Sequence, residues 1–239
     1  MNRLSELLFP RRCPRCGEVL PFGAKGCACH SLQIRRIAPP VCVHCGAEAE
    51  RCTCGRPGEL TVDCIAAPFY YTGQVRDELL ELKFRGERRL AKKLGREMAL
   101  CFAERCADLQ PDVVTWIPMT KKSERKRGFN QSALLAKQVA QQLCLTAAPL
   151  LEKTRETETQ HTLGEEARKT NLCRAFALRK GTDVRGKTVL LVDDIKTTGA
   201  TLSEGVRVLR ESGAAAVCCL CCAITEYFTD QSAETSGIT

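Results

Sequence analysis

Apolar positions along this chain fall into two kinds of run. Residues 189–192 and 214–224 are continuously apolar, with none of the alternation of a half-exposed strand. Such runs, bounded by turn residues, suit strands buried on both faces. Shorter apolar runs at 62–72, 113–118 and 175–178 also predict strands. Elsewhere apolar residues recur every three or four positions. That spacing predicts helices over about 75–84, 88–107, 130–143 and from the Thr/Gly segment near 200 to about 211. Residues 153–171 are polar and lack clean periodicity. Strands alternating with helices predict an α/β domain with a mostly parallel sheet.

The front of the chain follows another rule. Before residue 59 large apolar side chains are scarce, and eight of the seventeen cysteines lie in the first 54 residues. A Pro/Gly break at 55–58 marks the boundary. The expected organisation is a cysteine-rich module over residues 1–58 and an α/β domain over 59–239. The eight cysteines alternate Cys-x-x-Cys with Cys-x-Cys. Cys13-Pro-Arg-Cys-Gly and Cys42-Val-His-Cys-Gly have the form of zinc knuckles, in which a tight turn brings both thiolates to one face. Two tetrahedral Zn²⁺ sites follow: Cys13, Cys16, Cys27 and Cys29, then Cys42, Cys45, Cys52 and Cys54. His30 or His44 could replace one ligand. Interleaved pairing of the halves fits the spacing equally, so the number of ions, one or two, stays open. Disulfides or a redox pair are the competing readings. A reducing compartment disfavours the first, and four copies of the pattern disfavour the second. With so small an apolar core, bound metal supplies folding energy here. The remaining cysteines, including Cys64, Cys101, Cys106, Cys144 and Cys173 and the 218–222 cluster, read as small buried hydrophobes.

The chemistry concentrates in Val189-Leu-Leu-Val-Asp-Asp-Ile-Lys-Thr-Thr-Gly-Ala-Thr-Leu202. An apolar strand runs into two acids, then a Thr/Gly loop, then a helix. Loop amides from Thr197 through Thr198, Gly199 and Ala200 to Thr201 can face an anion at the positive end of that helix. Asp193 and Asp194 would repel a phosphate but suit the two hydroxyls of an attached ribose. The pattern therefore points to a ribose 5-phosphate. Residues 181–188 fit the Walker A spacing, but Lys187 and Thr188 lead into a strand. A working P-loop opens a helix, so this stretch is read as a turn.

The order strand, acid pair, Thr-Thr-Gly and helix resembles the phosphoribosyl pyrophosphate (PRPP) motif of type I phosphoribosyltransferases. A second stretch, Trp116-Ile-Pro-Met-Thr-Lys-Lys-Ser-Glu-Arg-Lys-Arg-Gly-Phe-Asn-Gln131, is expected to leave a strand at Pro118 and enter a loop with five basic residues. Several donors suit a pyrophosphate. Its Arg127-Gly-Phe-Asn-Gln131 string is similar to the ComF/GntX-type phosphoribosyltransferase-like proteins. So are Leu82-Lys-Phe-Arg-Gly86, the Thr157…Gln160…Leu163…Arg168…Asn171 spacing and the cysteine module.

The resemblance implies a type I phosphoribosyltransferase-like parallel sheet flanked by helices, with a small N-terminal zinc-ribbon module and a hood segment over about 150–180. It implies Asp193 and Asp194 on the ribose, with residues 196–201 on the 5-phosphate. Pro118, Met119, Thr120, Lys121, Lys122 and Arg127 would face pyrophosphate, and Mg²⁺ would accompany PRPP. Gln160 and Arg168 would close over the site. No residue identifies itself as acid or base toward the acceptor, although His161 has the right type. The family further implies a role in DNA uptake and natural transformation. The transferase reading therefore stands beside a nonenzymatic one: a competence factor binding single-stranded DNA or a helicase-like partner, its PRPP site a sensor or relic. A zinc-scaffold adaptor is a third class.

A net charge of +8 suits polyanionic ligands of either kind. No apolar run approaches the roughly 20 residues of a membrane span. The first ten residues are too short and too acidic at Glu6 for a secretory signal, which predicts a cytoplasmic protein without membrane insertion.

Overall fold

The computed structural model describes Val19 and residues 34–52, 54, 62–154 and 175–226. Continuous apolar runs become the centre of a parallel sheet. The strands are β1 (Cys64–Ala66), β2 (Phe69–Tyr70), β3 (Val113–Trp116), β6 (Thr188–Lys196) and β7 (Ala216–Ile224). Their order is β1-β7-β6-β3, with β2 also paired to β7. Every pair is parallel, and Val192 of β6 lies between Trp116 of β3 and Leu220 of β7. Residues 146–148 extend the β3 edge: Val114 N–H donates to Thr146 O at 2.9 Å and Ala148 N–H to Val114 O at 2.9 Å.

Helices cover both faces, which is why β6 and β7 lack alternation. On one face Leu191, Cys219 and Cys221 pack with Leu202, Val206 and Leu209 of α5 (Ala200–Glu211). On the other, Leu190, Val192, Leu220 and Cys222 meet three helices: α1 (Gly73–Arg85), α2 (Arg88–Arg105) and α4 (Gln131–Gln142). Gly95 of α2 permits the close crossing of α4, since a Cβ there would stand 2.5 Å from the Gln138 Cβ. A two-stranded antiparallel sheet of β4 (Leu151–Lys153) and β5 (Phe176–Leu178) flanks α5.

Four expectations are corrected. The strand over 62–72 is two short strands, because residues Ala67 and Pro68 break the ladder between them. The basic loop after Pro118 is a short helix, α3 (Lys121–Arg127). Thr120 caps it by accepting Ser123 N–H at 3.1 Å, and Gly128 closes it in the left-handed region. The cap and the closing glycine outweigh the repulsion among five cations. Cys64 and Cys106, read as buried thiols, pair as a disulfide between β1 and the end of α2. Folding brings these residues together across 42 positions, which no local spacing announces. Cys144, also read as a small buried hydrophobe, is exposed where the chain turns after α4. Cys101 and the 218–222 cysteines are core: burial pushes Cys218 up to about 11 and Cys101 likewise to about 11, leaving both inert at neutral pH.

Residues 181–188 end in β6 and open no helix. Among the described residues no helix is long and apolar enough to cross a membrane. Cys13, Cys16, Cys27, Cys29, Gln160, His161, Arg168 and Cys173 lie outside the described residues, as does the whole of the 55–58 break.

Candidate functional site

The carboxyl ends of β3 and β6 lie side by side. Ile117 N–H donates to Val192 O at 3.0 Å, so Pro118 leaves the sheet beside the acid pair. This is the end at which open parallel sheets bind ligands. β6 continues through Lys196, two residues past the acids. Consecutive strand residues point to opposite faces, and the two acids accordingly meet different surroundings.

Asp193 is 6% exposed and, two residues after Leu191 and paired with Cys221, continues the α5 face of β6. Its Oδ1 accepts the Ser132 hydroxyl and the Asp194 amide, each at 2.9 Å. Burial, followed by the charge of Asp194, holds its carboxyl well above the ordinary range. Asp194 is half-buried, with Oδ1 accepting Ile195 N–H at 2.9 Å and Oδ2 accepting Gln131 Nε2 at 3.0 Å. The sequence treats the acids as a pair, whereas the fold separates a buried acid from an accessible one.

A group with a raised folded pKa binds its proton more tightly in the folded state. Its stabilising effect is therefore lost as pH rises from the ordinary carboxylate range through the folded pKa. Asp193→Asn, which keeps an oxygen for Ser132 and carries no charge, is expected to melt higher than wild type. The difference should widen as pH rises above about 4. Melting curves from acid to neutral pH test this; parallel curves for the two proteins would show that burial does not disfavour the Asp193 charge.

After Lys196 the chain turns through Gly199, at φ +82°, into α5. That left-handed conformation suits glycine. The helix begins without a side-chain cap, and only Ala200 N–H has a weak local acceptor, Thr198 Oγ1 at 3.4 Å. Its first amides and positive dipole end thus face the loop and favour an anion there.

Asn130 caps α4, accepting Ala133 N–H at 3.2 Å and donating Nδ2 to Ile117 O at 3.0 Å. This cap ties the helix start to the end of β3. Of the basic stretch, Lys121 and Lys122 are exposed on α3, while half-buried Arg127 turns inward. Arg127 Nη1 donates to Gln131 Oε1 at 2.6 Å and approaches Met119 Sδ at 3.7 Å. The structure thus gathers Pro118, Met119, Arg127, both acids and residues 196–201 at one sheet end. Gln131 and Ser132, which hold the acids, were given no role from sequence. Their signal is positional. They follow the Asn130 cap as the first two helical residues, where side chains lean toward the N-terminus.

The described cysteines of the front segment form one group. The Sγ atoms of Cys42, Cys45, Cys52 and Cys54 all lie within 4.8 Å of one another. Cys42 and Cys54 sulfurs are 3.5 Å apart, those of Cys45 and Cys52 3.8 Å. Zn–S bonds of about 2.3 Å in a tetrahedron require sulfur separations of about 3.8 Å, so the set fits such an ion. His44 is exposed and outside the group. Burial opposes ionisation of Cys42, but hydrogen bonds from the Cys45 and His44 backbone and from Cys52 and Cys54 outweigh it. The thiol is pulled down to about 7.

The group is anchored on the sheet. Glu226, just past β7 and with its side chain 5% exposed, pairs with Arg51 and with Arg35 at 2.5 Å. Ile65 N–H donates to Val43 O at 2.9 Å. A small cleft between Cys45, Arg51, Tyr70, Lys196, Thr225 and Glu226 separates the cysteines from the end of β6.

A family model, the phosphoribosyl transferase domain, matches residues 130–236, spanning α4, the acid pair and its loop. The chain is 32% identical over 232 residues to DNA utilization protein YhgH of Escherichia coli (strain K12), covering 90% of this chain and 98% of that protein. It is 28% identical to competence protein F of Haemophilus influenzae (strain ATCC 51907 / DSM 11121 / KW20 / Rd), over 86% of this chain and 93% of the relative. Among solved structures, a purine phosphoribosyltransferase from Pyrococcus horikoshii Ot3 superposes with a TM-score of 0.37 and 18% identity, covering 58% of this chain and 80% of the other. Similarity to the first relative runs through the cysteine module as well as the parallel sheet, and the chain belongs to the ComF family of phosphoribosyltransferase-like proteins.

Proposed function

We propose that this protein binds Mg²⁺-PRPP at the carboxyl ends of β3 and β6 and transfers the phosphoribosyl group to an acceptor nucleophile. One observation carries the reading: a single strand–loop–helix unit presents the accessible Asp194 carboxylate and then, across Gly199, the uncapped start of α5. A carboxylate and an anion-binding helix end at this spacing match a ribose hydroxyl pair and its 5-phosphate. The C1–oxygen bond to pyrophosphate breaks with its electrons leaving on pyrophosphate, while an acceptor lone pair bonds to C1 and the acceptor sheds a proton. Asp194 orients the ribose hydroxyls and stabilises positive charge developing at C1. Asp193 accepts the Asp194 amide and the Ser132 hydroxyl beside it. Residues 197–201 anchor the phosphate, and Arg127, with Lys121 and Lys122 nearby, draws the leaving group. Mg²⁺, bound with PRPP, would neutralise pyrophosphate charge. Gln160 and Arg168 are assigned the role of closing over the ligand. Cys42, Cys45, Cys52 and Cys54 hold a structural Zn²⁺, and Cys13, Cys16, Cys27 and Cys29 are proposed as a second set.

Calorimetric titration of Mg²⁺-PRPP into the zinc-loaded protein tests the reading. Saturable binding of one equivalent supports it; no binding by folded protein would overturn it.

Relatives named for DNA utilization and for competence support a role for the proposed activity in DNA uptake, and we assign that activity to the cytoplasm. One observation favours a second reading, in which single-stranded DNA or a helicase-like partner is bound without catalysis. Phe84 is 73% exposed between Lys83 and Arg85, with the Lys83 ammonium 5.8 Å from its ring centroid. An exposed ring among cations can stack a base while neighbours contact phosphates. Four phosphate contacts would weaken binding to a single-stranded oligonucleotide roughly 50-fold between about 50 and 200 mM salt. Fluorescence anisotropy measures it. Phe84→Ala should weaken binding at every salt concentration without changing the slope; salt-independent binding would exclude this mode.

A further inference from the structure

Gln131 joins the two halves of the site. It is the first residue of α4, and both ends of its amide are engaged: Oε1 accepts Arg127 Nη1 at 2.6 Å, and Nε2 donates to Asp194 Oδ2 at 3.0 Å. The amide orientation is dictated by its partners. A guanidinium can only donate and a carboxylate only accept, so a reversed amide would lose both bonds. The Asn130 side chain fixes the start of α4 against Ile117 O, which holds the Gln131 backbone at the end of β3. Arg127 closes α3, packs its guanidinium near Met119 Sδ and stands at the side assigned to pyrophosphate. Asp194 stands at the side assigned to ribose.

We infer that Gln131 is a positioning residue that couples the pyrophosphate side of the site to the ribose side. This rests on the proposed PRPP reading and deepens it. In the described structure Arg127 and Asp194 are held by one neutral amide between them. The amide thus keeps a cation and an anion from collapsing into a direct ion pair, which would remove both from a ligand. When pyrophosphate engages Arg127, the Gln131 amide is drawn with it and Asp194 Oδ2 moves by the same linkage. An intact PRPP molecule, touching both ends, is favoured over either fragment alone. Coupling of this kind is reciprocal: each fragment raises the affinity for the other by the same factor.

The test uses the full-length, zinc-loaded protein and the variant Gln131→Met, which keeps the length and helix propensity of the side chain and removes both hydrogen bonds. Calorimetry measures Mg²⁺-pyrophosphate, ribose 5-phosphate, each in the presence of the other, and Mg²⁺-PRPP. In wild type the two fragments should strengthen each other about 5–50-fold. In Gln131→Met each fragment alone should bind within about threefold of wild type. The mutual strengthening should vanish, and PRPP affinity should fall by the lost factor. A merely structural role would weaken all ligands together or lower the melting temperature without touching the coupling. A Gln131→Met protein that retains the mutual strengthening overturns the inference while leaving the PRPP reading intact. Wild type that binds neither fragment nor PRPP overturns the reading and the inference with it. As a ligand-free check, the Gln131 side-chain amide resonances should shift in both Arg127→Ala and Asp194→Asn. Resonances unmoved by either change would show that the amide bridges nothing.

Discussion

Asp194→Asn is expected to reduce Mg²⁺-PRPP affinity about 10–100-fold, with the melting temperature near that of wild type. The carboxylate accepts one bond from its neighbour's backbone and one from Gln131, and remains half-buried at the mouth of the site. Asparagine fills the same volume and its oxygen can keep one of those bonds. What it loses is the charge that makes hydrogen bonds to ribose hydroxyls strong. A hydrogen bond to a charged group contributes about 1.5–3 kcal/mol, and every 1.4 kcal/mol is tenfold in affinity. Asp193→Asn provides the contrast. That side chain is buried, engaged by Ser132, and disposed to hold its proton. Its replacement should change affinity far less. Calorimetry on both variants, with melting curves as the folding control, decides the matter. Equal losses from both changes would mean that the acids act on the ligand as a pair, as the sequence suggests. No loss from Asp194→Asn would remove ribose from this position.

Stripping metal from the cysteine module is expected to lower the melting temperature by about 6–20 °C and release residues 34–54 from the sheet. Four sulfurs at tetrahedral separations become mutually repulsive or merely hydrogen-bonded when no ion holds them. Arg51, beside Cys52, is then no longer held against Glu226, and Arg35 faces the same loss of order. Release also takes Ile37 out of the core and uncovers Tyr70, and losing the burial of large apolar side chains at about 1.5–3 kcal/mol each amounts to about 3–5 kcal/mol. For a domain of this size each kcal/mol shifts melting by about 2–4 °C. Melting curves before and after chelation, with hydrogen exchange across 34–54, measure both effects. Cys45→Ser, altering the one buried cysteine of the set, should reproduce the loss and leave chelation with less to remove. Unchanged melting and protection after all four thiols have become titratable would show that the module docks without metal.

The elements of the α/β domain were legible because their signals are local. Val189 to Val192 are apolar on both faces, and only a central strand between two layers of helices accepts that. The Thr/Gly turn into α5 carries its own geometry, since Gly199 must adopt a left-handed conformation. Cys42 and Cys45 announce a knuckle by spacing alone. The basic stretch after Pro118 was misjudged for a local reason: five cations suggest solvent and flexibility, yet the Thr120 cap and Gly128 are sufficient to wind two turns of helix.

What sequence alone determined is the alternation of strands and helices, the anion-binding turn and the kinds of chemical group available. Each depends on interactions spanning a few residues. Tertiary structure alone decided which groups meet. It placed Ser132 beside Asp193 across 61 positions, set Gln131 between Arg127 and Asp194, closed Cys64 onto Cys106 and anchored the cysteine quartet at the end of β7 through Glu226. It also made the two adjacent acids unequal. A strand turns neighbouring side chains to opposite faces, and only the tertiary packing of each face determines which one is dry.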